Sequence, residues 1–366
     1  MTQVALVGSG KIGEMICDLL LDSGDYRVTL IDASEEQLAK VHGHPKLTKI
    51  QLDVTHTDAL AKSLSEHFAV LSACPYYLTE YIVRGAVQAG VNYLDLTEDV
   101  RSTKLVRELS QNTDIAFIPQ CGLAPGFISI VANDIAKDFD SLDTVRLRVG
   151  ALPKFPTNSL TYNLTWSTDG VINEYCEPCE TIMNGELNSI PALTQREEFS
   201  LDGVLYESFN TSGGLGSLGE TLKGKVRNLS YQTIRYPGHC AIMKTLLHDL
   251  RLAERRDVLK DVLEHAVPAT VQDVVLIFVT VSGTKGDRLM QETYANKVYG
   301  QIIDGKDRAA IQITTAAAIC TMLDLLREGK LPQQGFIRQE DVVLDDFLSN
   351  RFGQYYQQHD SASEAA

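Results

Sequence analysis

The chain has 366 residues, with 33 Lys+Arg against 48 Asp+Glu, and so carries a formal charge of −15. Nucleic acids and anionic membranes are held mainly by clustered cations, so an unspecific surface for either is excluded. The length suits two domains at ~100–200 residues each, 44% of the residues are hydrophobic, and no stretch approaches the ~20 apolar residues that span a bilayer.

The N-terminus runs directly into Val4–Gly8 without a basic n-region or a cleavage site, and a cytoplasmic location is expected. Seven scattered cysteines, an odd number, argue for reduced thiols in place of a disulfide framework. In that compartment the sequons at Asn163, Asn210 and Asn228 carry no function.

Residues 4–7 read as a strand, followed by Gly8-Ser9-Gly10-Lys11-Ile12-Gly13 and an amphipathic helix through Ile16, Leu19 and Leu20. In this order Gly8 permits a tight turn, Gly10 admits a pyrophosphate, and Gly13 lets the helix pack closely on the strand. The helix N-terminus at Lys11 and Ile12 supplies amides and positive dipole. A second strand, Arg27–Ile31, ends in Asp32, nineteen residues after Gly13, where a carboxylate accepts hydrogen bonds from a ribose 2′-hydroxyl. Asp32 repels the 2′-phosphate of NADP, and no Lys or Arg lies between Ala33 and Leu38 to offset it, so NAD is the expected cofactor.

Further strands are expected at Lys49–Leu52, Ala69–Ser72, Tyr93–Leu96 and Ile115–Ile118, with helical patterns around 60–64, 81–88 and 104–111. The region is α/β, a doubly wound parallel sheet of the Rossmann type. Ligands of such sheets lie beyond the carboxyl ends of the strands. That places Asp53-Val54, Ala73-Cys74-Pro75 and Thr97-Glu98-Asp99 along one crevice with the glycine loop, a helix N-cap being the other reading of Asp53.

After Cys121–Gly126 a helix is expected over 127–138, followed by strands at 144–149, 160–166, 226–234 and 274–281. This is an α+β domain. A long helix over 309–326 then returns to the first domain. The expected division is therefore 1–122 with 309–366 as the NAD-binding domain and 123–308 as the substrate domain, with a fraying tail at 361–366. The β-rich second domain offers a sheet that a homo-oligomer would cover. Cys176 and Cys179, even with His239 and Cys240, lack convincing zinc-ligand spacing, and no metal is expected.

The glycine loop, Cys121–Gly126, Tyr162–Ser167 and Thr233–His239 together resemble the saccharopine dehydrogenase family over nearly the whole chain. The runs Asn173–Pro178, Arg235–His239 and Gly335–Ile337 are most similar to its lysine 6-dehydrogenase branch. The resemblance implies NAD-dependent oxidative deamination of the L-lysine ε-amine to 2-aminoadipate 6-semialdehyde, which cyclises to piperideine-6-carboxylate, with release of ammonium. Other members act on saccharopine or carboxynorspermidine, so an opine-type C–N oxidoreductase is the alternative, and a non-catalytic NAD-binding sensor a third.

Oxidation at lysine C6 requires a neutral ε-nitrogen, whose unperturbed pKa is ~10.4, so a base is needed within hydrogen-bond reach. The candidates, in order, are His239, Glu98 and Asp99, against plain readings as a structural histidine and solvated carboxylates. Arg235, beside Tyr236, is a candidate bidentate clamp for the α-carboxylate, with a surface salt bridge as the alternative. Cys121 is expected to shape the nicotinamide pocket without acting as a nucleophile, and Trp166 to wall the substrate's methylene chain. Saccharopine would demand a second cationic clamp, for which Arg101, Arg146, Arg148 and Lys223 are available.

Overall fold

The computed structural model describes residues 1–111 and 113–357, and the expected fraying of 361–366 lies outside them. The N-terminal strands β1 (Thr2–Val7), β2 (Tyr26–Asp32), β3 (Leu47–Gln51), β4 (Ala69–Ser72), β5 (Asn92–Asp95) and β6 (Ala116–Ile118) alternate with helices. These are α1 (Lys11–Asp22), α2 (Glu35–Lys40), α3 (Thr57–Leu64), α4 (Thr79–Ala89) and α5 (Val100–Leu109). The strands stand in the order β6-β5-β4-β1-β2-β3 with every pairing parallel. Val4 to Val7 are buried on both faces because helices cover both sides of the sheet. The order reverses between β1 and β4, and a crevice opens at the carboxyl ends there.

Helix α6 (Phe127–Ala136) leads into a mixed second sheet: β7 (Ser141–Pro153), β8 (Cys179–Met183), β9 (Glu186–Ile190), β10 (Glu197–Leu201), β11 (Val204–Asn210), β12 (Val226–Arg235), β13 (Asp273–Lys285) and β14 (Arg288–Tyr299). Its spine is β10-β11-β12-β7-β13-β14, with β8 and β9 branching from β12. Helices α7 (Thr168–Cys176), α8 (Leu218–Leu222), α9 (His239–Lys244) and α10 (Arg256–Ala266) fill the connections. Alternation along β13 sends Val275, Ile277, Val279 and Val281 into the main core, and Leu276 to the other face beside Tyr206 and Ile234.

After a small ribbon, β15 (Gln301–Ile303) and β16 (Lys306–Arg308), the chain returns through α11 (Ala310–Arg327), β17 (Gly335–Phe336) and α12 (Leu344–Ser349). β17 adds to the first sheet beside β6, and α11 packs on both α1 and β13. By length and composition α11 is long and apolar enough to cross a membrane, contrary to the expectation of no such stretch, but nearly all of it is buried inside the protein. The Asp273 carboxylate accepts from the amides of Ala310 (2.5 Å) and Ile311 (3.1 Å), satisfying the start of α11. Asp324 accepts from the hydroxyl of Tyr26 (2.6 Å), Asn350 (3.0 Å) and Arg351 (2.9 Å), tying the returning segment to β2.

Two expectations for the second half need correction. Residues 160–166 are not a strand: Thr161 sits at φ +52°, and beyond an isolated bridge from Leu164 to Ala269 the segment is irregular. Strands β8 to β11 were not expected, although their turns carry Asn184-Gly185 and Asp202-Gly203. All four turn residues have positive φ, and these pairs are the residues that two-residue hairpins require.

Candidate active site

Gly8 has φ +100°, and a Cβ there would lie 2.8 Å from the Ala73 carbonyl oxygen. A Cβ on Gly13 would meet the Gly8 carbonyl oxygen at 1.9 Å, whereas one on Gly10 would find nothing within 4 Å. Two of the glycines are therefore forced by close packing. The third leaves open space before the amides of Lys11 and Ile12 at the start of α1, as a pyrophosphate requires. Asp32 closes β2, accepting from the Ser9 amide (2.8 Å) and hydroxyl (2.7 Å) with one oxygen and from the Ser34 amide (2.8 Å) with the other. The residues present fit a dinucleotide.

The remaining cofactor candidates divide. Ile12, Ala73, Cys74 and Pro75 line a cleft of about 250 Å³ between the two sheets. Burial pushes the Cys74 thiol up to about 12, so it contributes shape and not charge. Asp53 is exposed and folds back on Thr55, accepting from its amide (3.0 Å) and hydroxyl (2.8 Å), which makes it a turn residue. Val54 is buried in the core beneath the sheet with Leu60 and Val83.

The cleft takes Leu96, Thr97 and Glu98 from beyond β5, Gly122 to Pro125 from the domain crossover, and Tyr231, Thr233 and Arg235 from alternate positions of β12. Trp166, Gly170 and Glu174 come from α7 and its approach, where the Ser167 hydroxyl caps the helix by accepting from the Gly170 amide (3.1 Å). A Cβ on Gly170 would sit 2.4 Å from the Trp166 ring and 3.3 Å from Glu98 Oε1. One on Gly213 would sit 2.5 Å from the Glu98 carbonyl oxygen. Two glycines thus make room for Trp166 and Glu98 at the cleft wall.

Arg235 is 2% exposed and forms no ion pair among the described residues. Its Nε donates to the Tyr175 hydroxyl (2.9 Å) and Nη1 to the Ile234 carbonyl (2.9 Å), while Nη2 makes no hydrogen bond among the described residues. Burying a guanidinium without a carboxylate is costly, and the open cleft is where one would be supplied. Burial pushes the Glu98 carboxyl up to about 7, with the charges of Asp99 and Asp95 adding to it. Glu174, 6% exposed, is pushed up to about 8 by burial, with Arg235 acting against the rise and Glu98 adding to it. Two carboxyl groups near neutrality facing one cleft are the arrangement acid–base chemistry uses.

Four candidates stand elsewhere. His239 is 1% exposed and outside the cleft lining. Both ring nitrogens are engaged, Nδ1 with the Leu160 carbonyl (2.9 Å) and Nε2 with the Tyr175 hydroxyl (3.1 Å). Burial and then the Arg235 charge push its pKa down to about 3, so it is no base toward a substrate. Asp99 is the N-cap of α5, accepting from the Ser102 amide and hydroxyl at 2.7 Å each. Cys121 is wholly buried, its thiol donating to the Ile118 carbonyl (2.9 Å), and burial holds it well above the ordinary thiol range. Tyr236 follows Arg235 by one residue and so faces the other side of the sheet, its hydroxyl on the Pro153 carbonyl (3.0 Å).

Arg235 is the sole cation among the cleft-lining described residues, against Glu98, Asp169 and Glu174. Of the cations available for a second clamp, Arg146 pairs with Glu197 (3.0 Å), Lys223 lies near Glu186 (3.8 Å), and Arg148 sits over the Phe278 ring (4.2 Å). A neighbouring groove shares Tyr76 and Glu98 with the cleft and carries Arg101, Lys104 and Arg256.

Known proteins agree with this architecture. Residues 4–115 match the saccharopine dehydrogenase NADP binding domain, and residues 122–354 the saccharopine dehydrogenase C-terminal domain. The chain is 22% identical over 352 residues to the mitochondrial α-aminoadipic semialdehyde synthase of Bos taurus, covering 90% of this chain but 36% of that protein. It is 28% identical over 181 residues to the NADP(+), L-glutamate-forming saccharopine dehydrogenase of Saccharomyces cerevisiae, covering 46% of this chain and 39% of that one. The matched segments therefore span well under half the length of these relatives. Among solved structures, the apo L-Glu-forming saccharopine dehydrogenase of Saccharomyces cerevisiae superposes with a TM-score of 0.77 at 17% identity, covering 95% of this chain and 97% of that one. The Legionella pneumophila homospermidine synthase in complex with NAD gives 0.69 at 14% identity, covering 98% and 90%. Two adjoining domain matches, in the order in which the dinucleotide fold and the mixed sheet occur here, account for nearly the whole chain: it belongs to the saccharopine dehydrogenase family.

Proposed function

We propose that the chain oxidises a C–N bond of a cationic amino acid with NAD, removing the ε-amine of L-lysine as ammonium. The observation that carries this reading is the charge inventory of the cleft: one buried Arg235, unpaired among the described residues, against Glu98 and Glu174, with Asp169 already paired to Lys260 (2.7 Å). A substrate with one carboxylate and two amines complements that wall, whereas saccharopine, with three carboxylates, leaves two of them facing acids. The preference for NAD rests on Asp32 and on Glu35 and Glu36 in the place where a 2′-phosphate would need cations.

NAD, when bound, supplies the hydride acceptor. Arg235 Nη2 and its cleft-facing edge hold the α-carboxylate, and Trp166 packs along the methylene chain. Glu98 takes the ammonium proton, because a carboxyl near 7 is ionised often enough to accept it and basic enough to hold it. Glu174 supplies or removes the second proton as water adds to the oxidised substrate and ammonia leaves. The apolar walls, Ile12, Leu96, Val149 and Ile311, exclude bulk water and lower the pKa of the amine.

One observation favours a second reading. Arg101 and Lys104 of the adjoining groove form no ion pair among the described residues, and a longer substrate passing Glu98 would reach them with a dicarboxylate arm. Growth of the reduced-nicotinamide absorbance with purified protein, NAD and L-lysine, with release of ammonium, supports deamination. Reduction with saccharopine alone, with release of glutamate, overturns it in favour of the opine chemistry.

A further inference from the structure

The three side chains behind the cleft wall form a one-way hydrogen-bond chain. The His239 nitrogen facing the Leu160 carbonyl must carry the proton, since a carbonyl only accepts. The ring is neutral, its pKa pushed down to about 3, so Nε2 presents a lone pair and accepts the Tyr175 O–H at 3.1 Å. With its proton committed there, the Tyr175 oxygen turns a lone pair to the Arg235 Nε–H at 2.9 Å. The Ile234 carbonyl takes Nη1 (2.9 Å), and Nη2 is left for the cleft. Rings close the assembly from all sides: Phe209 stacks on His239 (6.3 Å, 10° between planes), and Tyr162 lies against the guanidinium (5.0 Å). The chain joins the coil at Leu160, α7, α9 and β12 in one connected unit.

We propose that Leu160, His239 and Tyr175 act as a positioning relay that fixes the orientation of the Arg235 guanidinium, so that this protein selects substrates by an α-carboxylate held at one place in the cleft. The proposal rests on the reading of Arg235 as the carboxylate clamp. A planar fork gains specificity only if its plane is held, and a long side chain free to turn would forfeit most of that gain. Tyr175 is suited to the task because a phenol accepts and donates at once, and His239 because its tautomer is dictated by the carbonyl behind it. His239 and Tyr175 are thus positioning residues. Neither touches the substrate.

The test compares L-lysine with 1,5-diaminopentane, which has both amines and no carboxylate. Tyr175→Phe keeps the ring and removes both hydrogen bonds. The KM for lysine is expected to rise about tenfold, the cost of misplacing one charge-assisted bond, while kcat/KM for the diamine stays within twofold. His239→Gln places an amide oxygen where Nε2 stood and is expected to restore the lysine KM, whereas His239→Leu is expected to match Tyr175→Phe. If Tyr175→Phe does not fold, the two His239 variants carry the comparison. Equal loss on both substrates, or an unchanged lysine KM, overturns the relay. Wild-type protein that oxidises the diamine as readily as lysine overturns the clamp and the relay together, while the deamination reading stands. If wild-type protein oxidises neither, the deamination reading falls and the same variants are read on saccharopine, where an unchanged KM overturns the relay.

Discussion

Replacing Glu174 by Gln separates what the cleft costs from what it does. The carboxyl is 6% exposed, has no ion-pair partner within 4 Å among the described residues, and is pushed by burial from 4.5 to about 8. At about 1.4 kcal/mol per unit, keeping it ionised above pH 8 costs on the order of 5 kcal/mol of folding stability. The native carboxyl binds its proton more tightly than the unfolded one. Its contribution is therefore fully favourable below about pH 4.5 and is lost as the pH rises to about 8. Gln does not titrate in that window. Above pH 8 the variant escapes this cost, from which the attraction of Arg235 is already deducted, so the net gain is on the order of 5 kcal/mol, or roughly 6 °C in Tm for a chain of this size. Thermal unfolding followed by circular dichroism from pH 5 to 9 reads this directly. The two Tm curves should meet near pH 5 and diverge up to pH 8, while turnover of lysine by the variant falls at least tenfold. Parallel curves would refute the burial argument, and a stabilised variant with full turnover would remove Glu174 from the chemistry.

Glu98→Gln should abolish the rise of kcat/KM with pH centred near 7 in the wild type, and a variant that keeps that limb assigns the base elsewhere. Asp32→Ala should weaken NAD binding at least tenfold in a fluorescence titration and narrow the preference over NADP, since the carboxylate at the end of β2 is removed. Gly13→Ala places a Cβ 1.9 Å from the Gly8 carbonyl oxygen, and urea unfolding should show a loss of about 3 kcal/mol or more together with loss of NAD binding. Tyr236→Phe removes a hydrogen bond to Pro153 on the far side of the sheet, and kcat/KM for lysine should stay within twofold.

The dinucleotide half was readable because its signals are local. Apolar runs at Val4–Val7 and Ala69–Ser72 are buried on both faces, and the glycine spacing with Asp32 reflects contacts that leave no room for a side chain. The second half was less readable. Its edge strands, such as Glu186–Ile190, are mostly exposed and carry little hydrophobic alternation, so only their turn residues marked them. Residues 160–166 alternate like a strand, but there Tyr162, Asn163 and Thr165 are buried in an irregular segment leading into α7.

For the site, the sequence by itself determined the chemistry on offer: a dinucleotide turn, an arginine that alternates with Tyr231 and Thr233, an acid beyond β5, and a single tryptophan. Only the tertiary structure decided which of these share a cleft. Arg235, Glu98 and Trp166 meet there, while Asp99 caps a helix, Asp53 closes a turn, Cys121 is sealed in the core, and Tyr236 faces the other side of the sheet. Glu174 counts as a site residue only once α7 is known to be a helix, where it falls one turn after Gly170 on the cleft face. His239 shows the same limit in reverse. Residue type makes histidine the obvious base near neutrality, but burial and the charge of Arg235 set its proton affinity, and both come from residues distant in the chain.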